Sequence, residues 1–130
     1  MSIDEYINVM KLKVGGKKQS GRIEDIKTDK VPDKDGNILP KIILVVNTET
    51  NTFKIDEAWV YNKDNILKPQ GLWLKLDSRG SINAISTLAK VMDFIGVESI
   101  SDLVGAQIEL YPKPNGFLAL IACKHQMFEV

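Results

Sequence analysis

The sequence predicts a mainly β domain with one main helix, an α+β protein. Residues 81–96 (SINAISTLAKVMDFIG) are the only segment in which apolar residues keep a helical period. Most other apolar residues alternate with polar ones or form β-branched runs, as they do in strands. Clusters of Gly, Pro, Asn and Asp separate these runs, which is typical of turns.

Residues 1–20 are predicted to be an N-terminal extension that precedes the folded part, residues 21–130. The weak apolar pattern of residues 2–14 fits either a short amphipathic helix or a leading strand. Residues 15–21 (GGKKQSG) predict a flexible linker. They lack the spacing of a P-loop, so a linker is favoured over a phosphate-binding loop.

The first two predicted strands form a hairpin. Residues 21–31 (GRIEDIKTDKV) alternate imperfectly and predict a half-buried strand. Residues 32–37 (PDKDGN) favour positive φ and predict a turn. Residues 40–47 (PKIILVVN) are a dense β-branched run, which predicts a central strand buried on both faces.

Two further strands are predicted before the helix. Residues 52–61 (TFKIDEAWVY) alternate well at first, and the polar residues 62–70 then predict a loop. Residues 71–77 (GLWLKLD) predict a short strand. Its three leucines share one face, and Trp73 and Lys75 share the other.

Residues 81–96 predict the helix, with Ser81 as its N-cap and Gly96 as its left-handed C-terminal residue. Its apolar stripe comprises Ile82, Ile85, Leu88, Ala89, Met92 and Ile95.

A short helix and a β-hairpin are predicted after residue 96. Ser99 and Asp102 resemble a capping box and predict one helical turn that stops at Gly105. Residues 106–111 and 117–124 predict two strands, which the turn 112–116 (PKPNG) joins.

This order of elements is typical of an OB-fold, a five-stranded barrel with its helix between strands 3 and 4. In that fold the apolar stripe of the helix closes one end of the barrel. The order also fits an irregular α+β sheet with one helix packed on it.

Composition limits the functions that are open to the chain. Its 130 residues, 44% of them hydrophobic, fit one domain over residues 1–130. The 17 basic and 17 acidic side chains balance, which argues against a polycation but leaves room for a local basic groove. The single cysteine excludes a disulfide framework, and no stretch approaches the ~20 apolar residues of a membrane span. We therefore expect a soluble, cytoplasmic protein that does not bind membranes.

Residues 71–122 resemble OB-type single-stranded-DNA-binding proteins encoded by phages and archaeal mobile elements. The matching features are GLW with LKLD, a Ser-Thr-Leu-Ala-Lys helix, and DLVG followed by NGFLALI. The upstream GRIEDI is similar to the start of an OB barrel. The resemblance covers about two-fifths of the chain. It implies a viral or archaeal protein of DNA replication or recombination, with DNA favoured over RNA.

Aromatic residues beside lysines are the combination that binds single strands, because bases stack on the rings while the cations hold phosphates. The aromatic candidates are Trp73, Tyr61, Trp59 and Phe53, with Lys75 and Lys54 near them in sequence. The competing interpretation places Trp59 and Phe53 in the core and Trp73 over the helix.

The basic candidates lie around the first strand pair: Arg22, Lys27 and Lys41, with Lys30 and Lys34 in support. Two loops line the groove of OB-folds, the loop between strands 1 and 2 and the loop between strands 4 and 5. The second of these adds Tyr111 and Lys113, with Phe117 next to them. The competing interpretation is a solvated face, because these lysines alternate with aspartates.

Catalysis has little support in the sequence, and no metal or cofactor is expected. His125 is the only histidine, which excludes a multi-histidine metal site. Cys123 shares a strand face with His125, but its apolar neighbours favour a core role.

The sequence thus predicts a non-catalytic protein that binds single-stranded nucleic acid with little sequence preference. The alternative is a subunit of a protein assembly, for example a homodimer, that uses the same aromatic face. A small-ligand barrel or enzyme is the third hypothesis.

Overall fold

A computed structural model describes residues 17–129, so the prediction for residues 2–14 lies outside the described part. Within that part the protein is mainly β, with seven strands in one sheet and a single α-helix. The strands are β1 (Gln19–Pro32), β2 (Ile38–Asn47), β3 (Thr52–Ile55), β4 (Glu57–Tyr61), β5 (Leu67–Gly71), β6 (Gln107–Pro112) and β7 (Leu118–Ile121). The helix is α1 (Thr87–Ile95), and short 3-10 helices span Ile100–Leu103 and Gln126–Phe128.

The strands follow the order β3-β2-β1-β6-β7-β4-β5. Neighbouring strands are antiparallel except β4 and β7, which are parallel. The terminal strands β3 and β5 are not paired with each other, so the sheet is not closed into a barrel, and the predicted five-stranded barrel is not confirmed. Helix α1 lies in the chain between β5 and β6.

The single strand predicted over residues 52–61 is two strands, which separate at Asp56. β3 pairs with β2, whereas β4 pairs with β5 and β7. Leu72 donates its N–H to the Asp56 carbonyl at 2.9 Å, so the backbone at the separation point is satisfied by the chain that follows β5.

Strand β5 occupies residues that were predicted to be loop. The turn before it depends on Asn62, whose Oδ1 accepts the N–H groups of Asp64 and Ile66, both at 2.9 Å. The strand predicted over residues 71–77 is wrong beyond Gly71. Trp73 forms only an isolated bridge to Lys41, because the chain leaves β4 there and runs beside β2.

Strand β2 was expected to be buried on both faces, and the structure buries one. Ile42, Leu44 and Val46 are at most 2% exposed, whereas Ile43 and Val45 between them are half-buried. The β-branched residues of β2 therefore indicate a preference for strand structure, and they do not indicate that both faces are buried.

Helix α1 begins five residues later than predicted. Ser86 is its N-cap, because its Oγ accepts the Ala89 N–H at 3.2 Å. Residues before it form turns, and Ile85 is 81% exposed. The predicted C-terminus is confirmed, since Gly96 has φ 91° and donates to the Met92 carbonyl.

The last elements follow the prediction closely. A short 3-10 helix begins after Ser99, whose Oγ donates to Asp102 Oδ2 at 2.8 Å. The β6–β7 hairpin turns at Gly116, which has φ 90°, although β7 is shorter than expected.

The core has two parts. The larger one lies between the sheet and α1, and its fully buried members include Ile23, Leu44, Leu72, Leu88, Leu103, Leu110 and Leu120. The smaller one contains Trp59, Tyr111 and Phe128. No helix within residues 17–129 is long and apolar enough to cross a bilayer.

Candidate functional site

Trp73 and Lys41 form a cross-strand pair on the outer side of the sheet. Ile42 donates its N–H to the Leu72 carbonyl at 2.8 Å, and Leu74 donates to the Pro40 carbonyl at 2.9 Å. These two bonds flank the pair, which places its side chains at the closer spacing of an antiparallel ladder. Lys41 Nζ lies 4.8 Å from the Trp73 ring centroid, a cation–π geometry. The same Nζ lies 3.3 Å from Asp56 Oδ2.

Gly71 allows this pair to pack closely. A Cβ at this position would lie 2.6 Å from Trp73 Nε1 and 3.0 Å from Lys41 Cε. A side chain at residue 71 would therefore push the indole and the lysine away from each other or out of the site.

Further predicted residues share the outer side of the sheet with this pair. Strand alternation puts Ile43 on the same side as Lys41. Lys27 lies opposite Ile43, and Lys54 lies opposite Val45, so both also face outward. We call Lys27, Lys41, Ile43, Lys54 and Trp73 the Trp73 face. Asp25 lies opposite Val45 and Asp29 lies opposite Lys41, so two carboxylates share this face with the lysines.

A groove of about 310 Å³ adjoins Trp73 between β5 and the start of α1. Its polar lining includes Lys68, Gln70, Lys75, Ser86 and Thr87, and none of the described residues that line it is acidic. Gln70 Nε2 is buried and has no hydrogen-bond partner among residues 17–129. The groove thus presents hydrogen-bond donors and cations that no carboxylate neutralises.

Trp59 and Tyr111 were predicted to bind, but the structure places both in the smaller core. They are 4% and 3% exposed, and Trp59 Nε1 donates to the Tyr111 carbonyl at 3.0 Å. Their rings pack edge to face with centroids 6.0 Å apart, and Phe128 packs against both. Burial raises the pKa of the Tyr111 phenol. A base cannot stack on either ring in this arrangement.

Phe53 and Tyr61 lie away from Trp73 as well. Phe53 faces Val46 and packs against the larger core, on the inner side of the sheet. Tyr61 is half-buried, and its hydroxyl donates to the Lys124 carbonyl at 3.3 Å. It lies opposite Leu67 on β5, four residues along β4 from Glu57, which faces Gly71, so it is about 13 Å from the Trp73 end of the groove.

Two of the predicted cations are also elsewhere. Arg22 lies opposite Asn47, six residues along β2 from Lys41, which is about 20 Å. Lys113 is an ion-pair partner of Glu57, and only 11% of its side chain is exposed. Neither cation is placed to hold a phosphate beside Trp73.

Cys123 and His125 do not form an activated pair. His125 Nδ1 accepts the Met127 N–H at 3.0 Å, and burial raises the pKa of the Cys123 thiol, which disfavours the thiolate. Within residues 17–129 no three His, Cys, Asp or Glu side chains come together as metal ligands would.

The groove residues Lys68, Gln70, Ser86 and Thr87 were not predicted from the sequence. Residues 62–65 (NKDN) contained the necessary signal, since Asn and Asp cluster between two apolar runs as in a hairpin turn. With β5 assigned, Lys68 and Gln70 would have been placed on one face of a strand.

Comparisons with models of protein families, with curated proteins and with solved structures found no match to this chain.

Proposed function

We propose that this protein is a non-catalytic nucleic-acid-binding protein that holds single-stranded DNA with little sequence preference. The observation that carries the proposal is the Trp73–Lys41 pair on the outer side of the sheet, beside a groove with lysines and no carboxylate. A half-buried indole at the surface offers a stacking surface to any base, and the neighbouring cations offer sites for phosphates. Lys27 and Lys54 add two further cations to the Trp73 face, where Asp25 and Asp29 also lie.

The proposal includes an OB-type barrel as the scaffold. Two observations support it. Only Asp56 separates β3 from β4. Because β3 pairs with β2 and β4 pairs with β7, residues 52–61 form one bent segment that contacts two strands far apart in the strand order. The chain after β5 also hydrogen-bonds to β2 through Leu72 and Leu74. Counting residues 52–61 as one bent strand, with β7 parallel to its second half, supports an OB topology.

Single-tryptophan variants test the proposal, because the chain has only two tryptophans and they differ in burial. In Trp59→Phe the remaining fluorescence comes from Trp73. We expect oligo(dT) of about ten nucleotides to quench it at low salt, and added salt to reverse the quenching.

Trp73→Phe is the matched control, since it retains only the buried Trp59. Its fluorescence should change little with the same oligonucleotide, while a labelled oligonucleotide still reports binding. If Trp73 is not quenched and the label shows no binding at low salt, the proposal is wrong.

The second candidate function is a subunit of a protein assembly, specifically a homodimer. It is favoured by the large apolar side chains that lie exposed, above all Ile85 at 81% and Phe117 at 72%. Light scattering on the purified chain separates the two candidates. A stable dimer in which Trp73 is buried and unquenched by oligo(dT) would favour assembly.

A further inference from the structure

The groove beside Trp73 contains more unsatisfied donors than base stacking needs. Gln70 is the clearest case, because its Nε2 is fully buried and has no partner within residues 17–129. Gln70 lies opposite the buried Ala58 on β4, is itself half-buried, and is one of the residues that line the groove. A buried donor without a partner is costly unless a ligand satisfies it.

The start of α1 supplies a second set of donors to the same groove. Ser86 and Thr87 line it, and the Ser86 hydroxyl caps only the Ala89 N–H. The N–H groups of Thr87 and Leu88 are at the positive end of the helix and have no carbonyl one turn earlier within the helix. The first turn of α1 has no acidic residue to neutralise this end.

Two lysines complete the lining. Lys68 and Lys75 are both exposed, and they belong to the β5 strand and to the segment between Trp73 and α1. The structure gives neither of them a carboxylate partner among the described residues. Lys41, by contrast, is shared between Asp56 and the Trp73 ring.

We propose that this groove is a phosphate-binding subsite, formed by Lys68, Lys75, Gln70 Nε2 and the N-terminus of α1. Its ligand is the phosphodiester next to the base that stacks on Trp73. This inference rests on the proposed function, and it assigns the nucleotide unit to two adjoining places, the base to the indole and the phosphate to the groove. A helix N-terminus with lysines is a known type of anion site, and the buried amide makes this one directional.

Backbone NMR with three ligands tests the subsite. The ligands are oligo(dT) of about ten nucleotides, its uncharged methylphosphonate analogue, and thymidine 5'-monophosphate. We expect the amide signals of Thr87 and Leu88 to shift with oligo(dT) and to stay unchanged with the methylphosphonate analogue. If oligo(dT) binds and these amides do not move, or if the methylphosphonate moves them equally, the phosphate subsite is wrong while strand binding stands.

The other outcomes concern the source of the phosphate. Shifts with the mononucleotide alone would overturn strand binding and reassign the groove to a free nucleotide. If none of the three ligands binds, both the subsite and the proposed function are wrong.

Salt dependence gives a second measurement with a matched control. In Lys68→Gln/Lys75→Gln the slope of log affinity against log salt should fall by about 1.4, since each single-strand phosphate contact contributes about 0.7. The affinity loss between about 50 and about 200 mM salt would then be about sevenfold smaller than in the wild type. Lys63→Gln, in the β4–β5 turn outside the groove, should leave the slope unchanged. Equal slopes in the wild type and the double variant would contradict the subsite.

Discussion

At the scale of single residues, the position of Trp73 follows from backbone hydrogen bonds and not from strand membership. The bonds of Leu72 and Leu74 to β2 fix the residue between them, and the indole therefore meets Lys41 across the ladder. Sequence alternation predicted that Trp73 faces outward, and the two flanking leucines do point the other way, since Leu72 is fully buried. The partner strand could not be predicted, because it depends on a contact between residues 32 positions apart.

Trp73→Ala should lower the affinity for oligo(dT) roughly 5- to 150-fold, because stacking on an aromatic ring contributes about 1–3 kcal/mol per base. Fluorescence anisotropy of a labelled oligonucleotide measures the loss. Phe117→Ala is the matched aromatic control, since Phe117 is 72% exposed but lies on the β6–β7 hairpin. An equal loss in both variants would contradict a site centred on Trp73.

Gly71→Ala should weaken binding severalfold without unfolding the protein. The new methyl group would lie 2.6 Å from Trp73 Nε1, so the indole has to move, and it is a side chain that can do so. In the Trp59→Phe background, the emission maximum of Trp73 should shift as well. Gly80→Ala is the control for strain, since Gly80 has φ 80° and open space around it. It should cost about 1 kcal/mol of unfolding free energy and leave the affinity unchanged.

At the scale of elements, the sequence predicted which segments form strands or a helix better than where they begin. Two serines compete for the start of α1. Ser81 precedes the apolar stripe, but it lies in a turn with Asp77. Its carbonyl accepts the Asp77 N–H, and its own N–H donates to Asp77 Oδ1. Ser86 is thus left to cap the helix. The stripe of residues 82–95 is continuous in sequence, so periodicity alone could not separate the turn from the helix.

Ser86→Ala should therefore lower the free energy of unfolding by about 1 kcal/mol through loss of the N-cap. Ser81→Ala should change it by much less, because the Ser81 side chain is exposed and caps nothing. Urea denaturation followed by circular dichroism compares the two. The opposite ranking would place the helix start at residue 81.

At the scale of the whole molecule, the separation at Asp56 is what the sequence could not reveal. The alternation that begins at residue 52 continues past Asp56, so nothing local marks the point where the strand changes partners. The consequence extends to the binding residues. Once β4 turns to pair with β7, Trp59 faces the small core with Tyr111, whereas Phe53 packs against the larger core.

That small core predicts how the stability of the whole molecule depends on pH. Burial raises the pKa of the Tyr111 phenol above its ordinary 10.0 and that of the Cys123 thiol above its ordinary 9.0. In both cases the unfolded chain loses its proton first as pH rises. The free energy of unfolding is therefore unaffected by these groups below about pH 9, and it falls above it, first through Cys123 and from about pH 10 also through Tyr111.

Urea denaturation between about pH 8 and pH 11 measures this fall. Tyr111→Phe keeps the ring that packs against Trp59 and Phe128 but removes the titrating hydroxyl, so its stability should fall less steeply above pH 10 than that of the wild type. Cys123→Ala should lack the loss of stability that begins near pH 9 and should retain the loss that Tyr111 causes from about pH 10. Because other groups titrate equally in all three proteins, the differences between their profiles isolate the two side chains. Parallel profiles for the wild type and Tyr111→Phe would mean that the phenol is as accessible in the folded protein as in the unfolded chain. That result would contradict the burial of Tyr111 in the small core.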